Sequence, residues 1–186
     1  KKSLMVVDMP HNTYRNSKEA LKNAKKIISE TKCDAVKLEG GKKIYQIVKT
    51  LTKNDIPVMG HLGVLPQSDK NFKFKGKKNF EKNKILKDAK LLENAGVFSI
   101  VLECVETSLA KLVTDKIDIP TIGIGASNVC DGQILVIDDL IGLNPINVRF
   151  VKKYANIRKE ITKAVSNYSK DVRKKKFPQT KHSYKL

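Results

Sequence analysis

Short apolar runs alternate with amphipathic stretches along almost the whole chain, and this alternation restricts the fold more than anything else in the sequence. Leu4-Met5-Val6-Val7 reads as a fully buried strand that ends at Asp8 and is turned by Pro10. Asn16 or Ser17 can cap a following helix, with Glu19 placed to complete a capping box from Asn16. That helix repeats Ala20, Leu21, Ala24, Ile27 and Ile28 at a period of about 3.6 residues. Residues 33–41 form a second strand, and a helix over 42–53 carries Ile44, Ile47, Val48 and Leu51 on one face. Ile56-Pro57-Val58-Met59-Gly60 is a third strand, with its proline at the start, where it is tolerated. A helix over 81–95 follows, and Gly96 stands where a C′ glycine belongs. Residues 97–102 make a fourth strand ending at Glu103, followed by a short helix with Leu109, Leu112 and Val113. Residues 119–125 and 134–137 supply the fifth and sixth strands. A final helix over 148–176 has Phe150, Tyr154, Ile157, Ile161, Val165, Tyr168 and Val172 on its expected buried side.

Strands that alternate with helices pair in parallel through right-handed crossovers. The first four strands stop at Asp8, Glu39, His61 and Glu103. In a (β/α)-barrel, that C-terminal face is where chemistry is built. The expected fold class is therefore α/β of the (β/α)8 TIM-barrel type, with about six of the eight strands in this chain. A doubly wound open sheet is the alternative, but Gly123-Ile124-Gly125 lacks the third glycine and the helix start of a dinucleotide fingerprint. One domain is expected over 1–176, with a loosely held polar tail over 177–186. The loop over 66–79 is long, lysine-rich and dotted with Phe72 and Phe74, the pattern of a lid, a binding loop or a disordered segment.

Composition excludes several function classes. Cys33, Cys104 and Cys130 are far apart, with no CxxC pair and no histidine at zinc-finger spacing, so neither a disulfide framework nor a structural zinc site is expected. The net charge is +18, but 33 of the basic residues are lysines and only four are arginines. Nucleic-acid readers favour arginine with interleaved aromatics, so the lysines read as solvated decoration and no nucleic-acid partner is expected. A positive field that draws in an anionic small substrate is the lesser alternative. The chain opens directly into a strand-like run, and no apolar run approaches the ~18–20 residues of a membrane span. A cytoplasmic protein with no membrane partner is expected.

The stretch Cys33-Asp34-Ala35-Val36-Lys37-Leu38-Glu39-Gly40-Gly41 carries the sharpest local signal. Side chains alternate across a strand, so Lys37 and Glu39 share one face and Val36 and Leu38 the other. Opposite charges buried on a strand cost several kcal/mol unless each is paired or ligated. The residues alone leave two readings open: a solvated edge strand with an ordinary ion pair, or a charged pair kept for chemistry.

Several segments together resemble the ketopantoate hydroxymethyltransferase (3-methyl-2-oxobutanoate hydroxymethyltransferase) family. They are Val7-Asp8-Met9-Pro10, Val36-Lys37-Leu38-Glu39-Gly40-Gly41, Gly60-His61-Leu62-Gly63 with Pro66-Gln67-Ser68, and Val101-Leu102-Glu103-Cys104-Val105. Ile122-Gly123-Ile124-Gly125-Ala126, Asp131-Gly132-Gln133-Ile134-Leu135-Val136, and Phe177-Pro178 with His182-Ser183 complete the match. Each motif is modest alone, but their shared order and spacing are specific. His11 stands where the family usually has Phe, Leu65 where Thr is common, and Ser127 in place of a frequent Gly.

The resemblance implies an enzyme, a one-carbon transferase that moves a hydroxymethyl group from 5,10-methylenetetrahydrofolate to 3-methyl-2-oxobutanoate through a Mg²⁺-stabilised enolate. It implies one Mg²⁺ per subunit, small-molecule 2-oxo-acid and folate partners, and a homo-oligomer. It also implies that this chain runs from the family's third strand to its C-terminus, leaving outside it an Asp-Ser pair that binds metal and substrate. By this reading Asp8 and Glu39 are metal ligands, and Asp8, Lys37 and His61 bind substrate. Glu103 is the catalytic acid or base. Each residue also has a plainer reading: Asp8 as a turn former, His61 as a buried structural histidine, Glu103 as a loop anchor and Cys104 as packing. A related Mg²⁺-dependent 2-oxo-acid lyase, or an inactive barrel fragment, is the alternative function.

Overall fold

The computed structural model describes residues 3–69 and 73–184. Phe72, which was expected to stud the long loop, lies outside the described residues. The chain divides into two compact units, Lys1–Ile134 and Leu135–Leu186.

The first unit holds a six-stranded parallel sheet in the order β1-β2-β3-β4-β5-β6. The strands are β1 (Val6–Asp8), β2 (Ala35–Glu39), β3 (Val58–Gly63), β4 (Ser99–Glu103), β5 (Thr121–Ile124) and β6 (Gly132–Gln133). Four helices connect the first five strands: α1 (Ser17–Thr31), α2 (Tyr45–Thr52), α3 (Asn79–Asn94) and α4 (Thr107–Lys116). Every strand pairs with its sequence neighbour, and right-handed crossovers between such neighbours place all the helices on one side. The sheet curls into a half-barrel of the TIM type, as the alternation predicts.

The core lies between sheet and helices. Val36, Leu38, Val58, Leu62, Ile100 and Leu102 point toward the helices and are buried against Ala20, Ala24, Val48, Leu51, Ala89, Leu92, Leu109 and Val113. The local signals that start and stop the helices act at the atomic level. Asn16 accepts from the Glu19 amide at 2.9 Å, while the Glu19 carboxylate reaches one residue further back, to the Arg15 amide at 3.0 Å. At the end of α3, Gly96 adopts φ +92° and donates to Glu93, while Val97 donates to Leu92, closing a Schellman turn.

Three expectations need correction. The first strand is not fully buried: Leu4 and Met5 are exposed and the strand begins at Val6. The sixth strand is the pair Gly132–Gln133, and Ile137–Leu140 forms a short helix, α5. Asp138 and Asp139 sit in its first turn, where the helix dipole favours negative charge. The last helix, α6, spans Ile157–Arg173 and is capped by the Asn156 side chain, which accepts from the Lys159 amide. Ahead of it, Tyr154 N–H donates to Leu140 at the end of α5, and the first residue of α6, Ile157, donates to Ile141 just past α5. The apolar stripe of α6 is exposed, not buried. In the tail, Phe177 packs edge-on against Tyr168 and at a tilt against the His182 ring. Among the described residues no helix is long and apolar enough to cross a membrane.

Candidate active site

Strand register sets the site. Asp8 lies beside Lys37, Glu39 beside His61, and Gly63 beside Glu103. Because neighbours in register point the same way, these side chains emerge on the face opposite the helices, at the C-terminal ends of their strands. The structure brings four of the five expected site residues into one continuous chain. Lys37 Nζ is 2.7 Å from Asp8 Oδ1 and 3.1 Å from His61 Nδ1. His61 Nε2 is 2.9 Å from the Val64 carbonyl oxygen and 3.4 Å from Glu103 Oε2. His61 is almost wholly buried, whereas Asp8 is more than half exposed. An ammonium has three N–H groups, so these contacts leave one on Lys37 for a ligand.

Glu39 stands beside this chain, not within it. Its Oε2 accepts from the Gln67 amide at 3.0 Å. Burial pushes its carboxyl above the usual range. The Gln67 amide and the charge of Lys37 oppose that rise, and the charge of Asp8 adds to it. Asp8 and Glu39 therefore repel each other across the site, a condition that a shared cation relieves. Among the described residues no three His, Cys, Asp or Glu side chains stand together as a metal cage. A hard divalent cation is satisfied by one or two carboxylates plus water and substrate oxygens, so these two residues fit such a role.

A cavity of about 200 Å³ opens over Glu39, between Tyr14 and Arg15 on one side and Gln67 and Ser68 on the other. Gln67 ties these walls together. Its Oε1 accepts from the Tyr14 hydroxyl at 2.8 Å and its Nε2 donates to the Met9 carbonyl at 2.9 Å. Further on, Lys75 bridges Val105 and pairs with Asp69 at 2.9 Å. These contacts anchor Asp69 and Lys75 in the loop that was expected to be a lid, a binding loop or a disordered segment.

A family model described as ketopantoate hydroxymethyltransferase matches residues 1–180. The chain belongs to the ketopantoate hydroxymethyltransferase family. Among its relatives, the 3-methyl-2-oxobutanoate hydroxymethyltransferase of Pelagibacter ubique (strain HTCC1062) is 73% identical over 184 residues, covering 99% of this chain and 72% of that protein. The protein of the same name from Prosthecochloris aestuarii (strain DSM 271 / SK 413) is 50% identical over 188 residues, covering 98% of this chain and 68% of that protein. A dihydrodipicolinate synthase structure from Agrobacterium tumefaciens str. C58 overlays with a TM-score of 0.46 at 14% identity, covering 75% of this chain and 50% of that one. That overlap is too slight to bear on chemistry.

As a member of the ketopantoate hydroxymethyltransferase family, the chain is an enzyme of the transferase class. Two residues of its site went unassigned from sequence. Gln67 had a signal, since Pro66-Gln67-Ser68 reads as a turn just after a strand, but nothing marked Tyr14. Burial, and then the Glu103 charge, push the thiol of Cys104, next to Glu103, up.

Proposed function

We propose that this chain transfers a hydroxymethyl group from 5,10-methylenetetrahydrofolate to 3-methyl-2-oxobutanoate, forming ketopantoate in the cytoplasm as part of a homo-oligomer. The observation that supports the reading best is the unbroken polar run Asp8–Lys37–His61–Glu103 at the strand ends, with Glu39 alongside it. The reaction needs a proton removed from the third carbon of a 2-oxo acid and the resulting enolate held. Glu103 is the base that takes that proton. The remaining Lys37 N–H meets the substrate's carboxylate or its developing enolate oxygen. The third carbon then bonds to the methylene carbon of the folate, and both bonds from that carbon to folate nitrogens break. One nitrogen takes the proton that Glu103 removed, the other takes a proton from a water, and the hydroxide of that water becomes the product's hydroxyl group. A Mg²⁺ ion held by Asp8 and Glu39 would supply Lewis acidity at the substrate's paired oxygens. Substrate and folate are small molecules, and the lysine-rich surface has no role in binding nucleic acid or membrane.

Proton exchange separates the half-reactions. Incubated in D₂O with Mg²⁺ and 3-methyl-2-oxobutanoate but no folate, the protein should exchange the third-carbon proton, and Glu103→Gln should slow this about 10²–10⁴-fold. Undiminished exchange in the variant removes Glu103 from the mechanism. Net product formation without a methylene donor assigns a 2-oxo-acid lyase instead.

A further inference from the structure

We infer that His61 is a positioning residue, a fixed neutral imidazole protonated on Nε2 that holds Lys37 and Glu103 in place and does not itself touch substrate. The argument is one of hydrogen-bond inventory. Lys37 offers only donors, so the ring nitrogen 3.1 Å away, Nδ1, must accept. The Val64 carbonyl can only accept, so the ring nitrogen 2.9 Å from it, Nε2, must carry the proton. Both nitrogens are then spent inside the protein. Glu103 Oε2 stands 3.4 Å from the same Nε2, facing an N–H that the Val64 carbonyl takes. The ring is almost fully buried, which leaves no exposed edge for a ligand.

The chain around the ring makes the arrangement stiff. Val64 N–H donates to the Glu103 carbonyl at 2.8 Å, so the residue that orients Nε2 is tied to the backbone of the carboxylate it faces. Gly40 N–H donates to the His61 carbonyl at 3.1 Å, which ties His61 to the end of the strand that carries Lys37. One imidazole thus fixes the spacing between the cation and the carboxylate that flank the reacting carbon. This deepens the reaction proposed above and rests on it for the roles of Lys37 and Glu103, but the tautomer does not depend on it.

The test is a long-range ¹H–¹⁵N correlation spectrum of the imidazole nitrogens in the full chain near neutral pH. His61 should give the pattern of a single Nε2-protonated neutral ring, unchanged when Mg²⁺ and 3-methyl-2-oxobutanoate are added. An imidazolium, an Nδ1-protonated ring, or a ring whose pattern changes on adding substrate overturns the inference, whether or not the chain is active. A kinetic arm uses His61→Asn, whose amide oxygen can stand near Nδ1. A 1 Å displacement of reacting groups costs about 10²-fold, so kcat should fall by about that factor with the 2-oxo-acid KM unmoved. A raised KM with kcat retained places His61 on the substrate and refutes the assignment.

Discussion

Gly63 stands beside Glu103 in the sheet and has φ +98°. A Cβ built there falls inside the contact distance of the Glu103 carbonyl oxygen and 2.7 Å from Val105 Cγ2. Gly63→Ala therefore faces two costs. The left-handed backbone costs roughly 1–2 kcal/mol for any residue with a Cβ, and forcing a methyl against backbone costs about 1–3 kcal/mol more. Gly96→Ala provides the control: its φ is +92°, but the nearest atoms to its Cβ would be those of the Thr52 side chain, no closer than 3.3 Å. It bears the first cost without the second. Urea unfolding with unchanged m-values should place Gly63→Ala about 1–3 kcal/mol below Gly96→Ala, which is about 0.5–1.5 M in midpoint at ~2 kcal/mol per M. The end of β4 must shift to relieve the clash, carrying Glu103 with it, so Gly63→Ala should also lose roughly 10²-fold in substrate proton exchange while Gly96→Ala loses none. Equal stability of the two variants would refute the steric argument. A destabilised Gly63→Ala with full exchange would refute its link to Glu103.

Gln67→Ala removes the bridge to Tyr14 and Met9 and should cost about 1–3 kcal/mol by urea unfolding; adding Tyr14→Phe should then cost almost nothing further, because the shared bond is already gone. Glu106 caps α4, and its carboxyl is held down to about 2, first by the Ser108 hydroxyl and then by the Ser108 amide. A depressed carboxyl stabilises the fold above its unfolded pKa and loses that contribution as pH falls through the folded value. Glu106→Ala should therefore cost about 1 kcal/mol near neutral pH, with the deficit closing between about 4.5 and about 2; a deficit independent of pH would sink the capping account.

How far the sequence carried depends on the range of the interaction. Spacing alone placed α1 to α4 and β2 to β5, since each is specified by its own apolar period and by caps such as Asn16 and Gly96. It failed where a local pattern had two outcomes. Ile134-Leu135-Val136-Ile137 is an apolar run that suits a strand, yet the ladder to β5 takes Gly132 and Gln133 and the run turns into α5. The α6 stripe was legible as a stripe, but burial needs a covering surface that periodicity cannot specify.

For the site, alternation along β2 put Lys37 and Glu39 on one face, and strand-end positions singled out Asp8, His61 and Glu103. These are one-strand facts, and the sequence determines them. Which of the five meet is a matter between strands. Register joined Lys37 to Asp8 and His61, and His61 to Glu103, and it left Glu39 to the Gln67 amide. Tyr14 and Gln67 lie 53 residues apart and meet only because successive crossovers bring two loops over the same end of the sheet. Residue type and local period choose the candidates; only the folded sheet decides which hydrogen bonds each one has left to offer.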